Sequence, residues 1–258
     1  MALNFNVDPY YDDFDPSKNY HRILFKPGYA VQARELTQSQ SILQDQISKF
    51  ASNIFSQNTP ISGGATTVNL NCYYIKLNTQ NLGINIVASS FLGKTIINAA
   101  GTIIAKVIAT VESTITTDSN GNQSGDNPTL VVTYSTGPKF GDATAIYDLA
   151  SPSSPIATTI GSIGGSTCTG LSSTASISSG VFYVVNGYSL SASTGQQYSI
   201  GNFVTVNPQT TILDKYSNTP SYRVGLLINE TIYDYVNDTT LLDQAVGASN
   251  YQAPGADR

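Results

Sequence analysis

The sequence predicts an α+β chain that is mainly β. It has an extended N-terminal arm, one long N-terminal helix, and then a β-sandwich-like domain with a small β subdomain inserted in it. Three observations carry this reading. A run free of Gly and Pro, from Val31 to Phe55, has its apolar residues at helical spacing. After Thr59, short β-branched and aromatic runs alternate with Gly, Asn, Asp and Pro clusters such as "DSNGNQSGDNP". No fixed-period repeat is visible, which argues against a solenoid or β-helix.

Residues 1–30 read as a docking arm. Pro9, Pro16 and Pro27 interrupt them, and Tyr10, Tyr11, Phe14 and Tyr20 stud them. Aromatics in a stretch too broken to build its own core usually anchor on another surface. Residues 31–57 read as the helix. With Leu36, Leu43 and Phe50 at heptad position d, positions a are Ala33, Gln40, Ile47 and Ile54. All of these except Gln40 are apolar, over roughly 33 Å at 1.5 Å per residue. The flanking e and g positions are Thr37, Gln44 and Ala51, with Ser39, Gln46 and Asn53. None can form the interhelical ion pairs that select partners in ordinary zippers. A neutral flank beside an apolar seam suits a helix shielded by neighbours. Two placements stay open: between subunits, as in a coiled coil, or on the β domain of the same chain.

Residues 58–79 with 161–258 read as the β-sandwich-like domain, and 80–160 as the inserted subdomain. The strand signals are "TTVNLNCYYIKL", "INIVASSF", "GTIIAKVIATVEST", "TLVVTYS", "FVTVNP" and "YRVGLLINETIYDYV". "VFYVVNGYSL" is broken by Asn186-Gly187, a dipeptide that tolerates positive φ at both positions and so predicts a hairpin turn.

Composition narrows the function. The chain has 258 residues, 11% of them charged, a net charge of −5 and a pI near 4.6. No basic stripe exists to neutralise phosphates, so nucleic acid is not an expected partner. No apolar run approaches the roughly 20 residues that span a bilayer, and the first residues carry no signal-peptide pattern. Membrane insertion is therefore not expected, and synthesis is expected in a cytoplasm. Residues 149–213 hold no Asp, Glu, Lys or Arg. Cys72 and Cys168 lie far apart and read as buried small hydrophobes.

A search for catalytic chemistry finds no pattern. His21 is the only histidine, and it sits in "NYHRILF", where a structural contact is the simpler role. The acidic run "DDFDPSKN" has Lys18 where a calcium loop needs Gly and Leu24 where it needs Glu. "GSIGGSTCTG" matches neither the dinucleotide fingerprint nor the P-loop and reads as a flexible connection. No enzymatic role, cofactor or metal site is expected. A glycosidase pair assembled in space from Asp234, Asp238 or Asp243 has no support in the sequence.

The segment "YYDDFDPSKNYHRILFKPGYAVQARELTQSQSILQDQI" resembles the N-terminal block of a family of virion structural proteins from contractile-tailed phages, especially cyanophages. That family is generally described only as a domain of unknown function. Further resemblance lies in "GVFYVVNGYSL", "ILDKYSNTPSYRVGLLINETI" and "LLDQAVGASNYQAPGADR". Ser39 departs from the pattern, which would have an apolar residue there. The resemblance implies a structural component of a phage tail, at the baseplate or in a tail fibre joined to it, located in the virion. Its partners would be other tail, baseplate or fibre proteins and further copies of itself, as a homotrimer supporting host attachment. The chain is also expected to be the N-terminal portion of a longer protein. The alternative is a receptor-binding fibre module that holds host glycans on a tyrosine-rich face.

Overall fold

In the computed structural model, described for residues 5–120, 122–161, 167–189 and 197–258, the protein is mainly β with one N-terminal helix. The helix is α1 (Ala33–Ser52). The first strands are β1 (Thr59–Gly63), β2 (Thr66–Lys76), β3 (Gln80–Asn81), β4 (Ile84–Asn85) and β5 (Thr95–Asn98). They are followed by β6 (Ile104–Val111), β7 (Thr116–Thr117), β8 (Gln123–Ser124), β9 (Thr129–Thr136) and β10 (Ala145–Asp148). The last are β11 (Ala157–Thr158), β12 (Thr169–Ile177), β13 (Gly180–Ser189), β14 (Gln197–Val206) and β15 (Gln209–Asp214). The chain divides into two compact units. One comprises Met1–Ile61, Val181–Val204 and Gly225–Arg258; the other comprises Ser62–Gly180 and Thr205–Val224.

The second unit is an eight-stranded sheet in the order β11-β10-β5-β6-β9-β2-β12-β15, antiparallel throughout. Its strands come from both sides of residue 80 and of residue 160, so the segment 80–160 shares one sheet with β2, β12 and β15. One face packs Ile75, Leu77, Ile96, Val107, Leu130, Val132, Phe140 and Ile146 into a closed core. The other face of the central strands buries Cys72, Ala109 and Val131. Both thiols are buried and free. Because β9 is covered on both faces, "TLVV" is a continuous apolar run instead of an alternating one.

A register shift between Val107 and Ala109 in the pairing of β6 with β9 turns Ala109 to the face opposite Val107. One extra residue in a strand reverses every side chain beyond it. A second device fixes the turn at Ala88–Phe91. The Glu112 carboxylate accepts the Ala88 and Ser89 N–H groups at 2.9 and 2.7 Å, which holds its pKa below the ordinary value and carries Phe91 into the core. The "INIVASSF" segment is thus one short strand and a 3-10 turn, because the capped turn competes with strand pairing.

A charged cluster closes the edge of this unit. The buried Lys76 ammonium pairs with Asp126, donates to the Tyr216 hydroxyl at 2.8 Å, and lies 4.5 Å from the centre of the Tyr216 ring. Lys215 approaches Asp126 at 3.4 Å, and the Tyr216 hydroxyl donates to the same carboxylate. Burial acts to raise the Asp126 pKa, but the hydrogen bonds from Lys76 and Tyr216 and the Lys76 charge outweigh it and hold the carboxyl below its usual range. Burial, then the bond to Asp126, pushes the Tyr216 phenol up to about 12.

In the first unit, α1 begins where the Glu35 carboxylate accepts the Gln32 N–H at 2.9 Å, with Glu35 in the first turn and Lys49 in the last. It stops at Ser52, short of the 31–57 expected from periodicity. There the Ser52 hydroxyl and the Asn53 amide both donate to the Lys49 carbonyl, at 3.0 and 2.7 Å, and satisfy a helix-end group without a further turn. One face of α1 packs on its own chain through Ser41, Ile42, Ser48 and Ala51. The Ser41 hydroxyl donates to the buried Asp12 carboxylate, which also accepts the Phe14 N–H at 3.2 Å. Two turns on, Ser48 accepts the Gly201 N–H at 2.6 Å on its hydroxyl and the Tyr183 O–H at 3.3 Å on its carbonyl. A Cβ on Gly201 would overlap the Tyr183 ring, so only glycine allows β13, β14 and α1 to come this close. Phe55, Tyr183 and Phe203 form an aromatic group with centroids 5.5–6.0 Å apart.

Two strand expectations are corrected. Asn186-Gly187 lies inside β13, not in a turn, since the dipeptide permits positive φ without imposing it. The connection between β13 and β14 falls at 190–196, outside the described residues, as does most of the glycine-rich stretch at 162–166. "YRVGLLINETIYDYV" belongs to no strand, because no strand among the described residues pairs with it, and it ends in a turn at Tyr235 and Val236.

Two outcomes are expected from these contacts. Asp126→Ala leaves the Lys76 charge buried without its counter-ion and should cost roughly 3 kcal/mol in denaturant unfolding, whereas Lys76→Met, which removes the charge and keeps the volume, should cost less. The Asp126 contribution is present above the unfolded carboxylate range and lost as pH falls through its depressed folded value. Asp12 has the opposite sign. Burial raises its pKa despite the bonds from Ser41 and Phe14, so the folded state holds the proton more tightly and stability falls as pH rises above about 4. Asp12→Asn should remove that slope in melting curves recorded against pH, and Asp12→Ala should cost roughly 1–3 kcal/mol by orphaning Ser41 and the Phe14 N–H.

Candidate assembly surface

The face of α1 opposite Ser41 and Ser48 is exposed among the described residues. Ala33, Leu36, Gln40, Leu43, Ile47 and Phe50 are all exposed, Leu36 at 53%, Leu43 at 60% and Phe50 at 69%. Ile54 is exposed too and lies two residues past the helix, in the turn that follows it. The two placements left open by the sequence therefore concern different faces. The chain's own sheet takes the small and polar face, and the heptad seam stays free.

The arm residues divide. Phe14 is buried beside Asp12, so it locks the arm within its own unit. Tyr10 is half-buried and donates to Asp257, a bond that raises the phenol pKa. Tyr11 and Tyr20 are exposed, as are Leu24, Phe25, Tyr29 and Val31, and His21 is exposed among them. The free aromatic surface thus begins at Tyr20 and runs to the start of the seam. Periodicity could not show this, because the arm has none. The signal available was the change from acidic to apolar composition after Arg22.

Between the arm and the first half of α1 lies a cleft of about 200 Å³, lined in part by Asp13, Asp15, Lys18, Arg22, Arg34 and Glu35. Its charges balance. Asp13 takes Arg34 at 3.6 Å and also accepts from Gln38, so the cleft is spanned by its own ion pair. Exposed ion pairs of this kind contribute under about 1 kcal/mol. Among the described residues, no group of three or more His, Cys, Asp and Glu side chains is placed to hold a metal ion, and no helix is long and apolar enough to cross a membrane.

A second open surface is the segment 221–232. Its side chains are exposed except Glu230, which is half-buried, and Leu227 reaches 93%. Among the described residues none of its backbone N–H or C=O groups has a hydrogen-bond partner. The backbone resumes pairing at Tyr233, which exchanges two bonds of 2.7 and 2.8 Å with Arg258.

No curated protein and no solved structure matches the chain. A family does. The match covers residues 8–155, taking in the arm, all of α1, and the sheet through β10. The chain belongs to the family described as a domain of unknown function, DUF4815.

Proposed function

We propose that the protein is a structural component of a phage tail, at the baseplate or in a fibre joined to it. It assembles as a homotrimer through the heptad seam of α1 and supports host attachment, without catalysis. The observation that carries this reading is the two-sided use of α1. Hydrogen bonds hold its polar face on the first unit, and they leave an apolar stripe from Leu36 to Phe50 in solvent. A helix of 20 residues with one face anchored and an apolar seam open fits association with copies of itself. The seam lacks flanking charge at e and g, which suits neighbours on both sides. The tail location rests on the resemblance of the N-terminal block. The exposed aromatics from Tyr20 to Tyr29 then provide the surface for other tail proteins.

Native mass and sedimentation analysis test the trimer. Wild type is expected at three times the chain mass, and Leu43→Asp with Ile47→Asp is expected at the monomer mass with an unchanged far-UV spectrum. Both side chains are exposed in the single chain, so their replacement does not disturb its core. A monomeric wild type, or a double variant that stays trimeric, overturns the seam. Density for the chain at a three-fold position of a tail tests the location, and density in the capsid shell would reject it.

A further inference from the structure

We infer that residues 221–232 are a donated β-strand, which adds to the free edge of β15 in a second copy of this chain. The segment has every local property of a strand except a partner. Tyr222, Val224, Leu226 and Ile228 alternate onto one side, as in a strand with one buried face. Twelve residues contain no proline and only two charges, Arg223 and Glu230. Natural edges are protected by prolines, lysines or bulges, and this stretch has none of these. A Cβ built on Gly225 meets nothing within 4 Å, so the backbone is open to close approach from outside.

The segment is not a loose end. On its N-terminal side Tyr216 is held by Lys76 and Asp126, and on its C-terminal side Tyr233 is held by Arg258. A span fixed at both ends loses less freedom on pairing than a disordered tail.

The acceptor lies in the same sequence. β15 is the last strand of the eight-stranded sheet, so one of its edges is unpaired. It carries no lysine, arginine or proline, its register with β12 shifts only at Leu213 near its end, and among the described residues no backbone bond outside its pairing with β12 involves residues 209–213. β11, at the other end, has only two residues, and β1 contains Pro60. Six residues, 215–220, separate β15 from the segment, enough for a hairpin back onto its own edge, yet the chain does not take that path. Alongside the free edge of β14 in the three-stranded sheet, each copy therefore brings an unpaired strand and the unpaired β15 edge. Exchange between copies satisfies both and closes into a ring, while a foreign strand-acceptor would leave every β15 edge open.

The inference rests on the assembly held by the helix seam, and hydrogen exchange on the intact chain tests it. Amides of 221–232 are expected to exchange on the order of 100-fold more slowly than unprotected peptide in the associated protein, and to lose that protection on dilution to monomer. Val224→Pro should abolish the protection without lowering the melting temperature of the dilute monomer, because the N–H it removes has no partner among the described residues. Unprotected amides at every concentration would overturn the inference. So would protection in a species that sediments as a monomer, which would place the strand on its own chain. Protection that appears only on adding another protein would reject the second copy as partner. Protection that persists in the Leu43→Asp, Ile47→Asp variant would support strand exchange while counting against the seam.

Discussion

The rotation of α1 about its own axis governs what this protein presents to its surroundings. Ser41 and Ser48, seven residues apart, are both bonded inward, one to Asp12 and the other to Gly201 and Tyr183. Those bonds hold the small face against the first unit and turn the large apolar residues out. Apolar burial alone would favour the reverse. Burying a Leu, Ile or Phe side chain stabilises by about 1.5–3 kcal/mol, so leaving Leu36, Leu43, Ile47 and Phe50 in water forgoes on the order of 6 kcal/mol or more. A net hydrogen bond contributes about 1 kcal/mol. This imbalance, reduced because the four side chains are already partly covered, is the physical root of the assembly reading.

Much of the fold could be read from residue patterns, and the part that could not has identifiable causes. The helix and its seam follow from 3.5-residue apolar spacing, and β2, β6, β9 and β14 fall where β-branched runs occur. The face that packs on the chain itself was not legible, because Ser41, Ser48 and Ala51 are unremarkable as single letters. Their signal is size, and it becomes meaningful only beside Gly201, more than 150 residues later. The bulge after Val107 left no mark either, since it changes which face Ala109 occupies without changing composition. The run 222–236 reads as strand-like, but such a run reports side chains and says nothing about who supplies the neighbouring backbone.

Charge is used sparingly and locally. The 149–213 stretch has none, although it supplies β12, β13 and β14. Ionic contacts gather instead where a connection has to be pinned: Asp126 receives Lys76 and Lys215 beside the departure of the chain from β15, and Glu112 holds the turn that seats Phe91. In each case the carboxylate has burial working against it, and its hydrogen bonds keep it ionised. The candidate assembly surfaces carry few charges, as the cores of permanent interfaces do.

The bond between Tyr10 and Asp257 spans 247 positions of sequence. Arg258 in turn exchanges backbone bonds with Tyr233. During synthesis the arm therefore has to wait for Asp257, 247 residues further on, before this fastening exists. The second unit is complete at Val224 and can close earlier. Ring closures this long form late, because the entropy of bringing the ends together has to be met by contacts already in place. The helix accordingly takes its final orientation only after Tyr183 and Gly201 have reached Ser48, and its apolar stripe is in register for partners only once those distant parts of the sequence have been gathered to it.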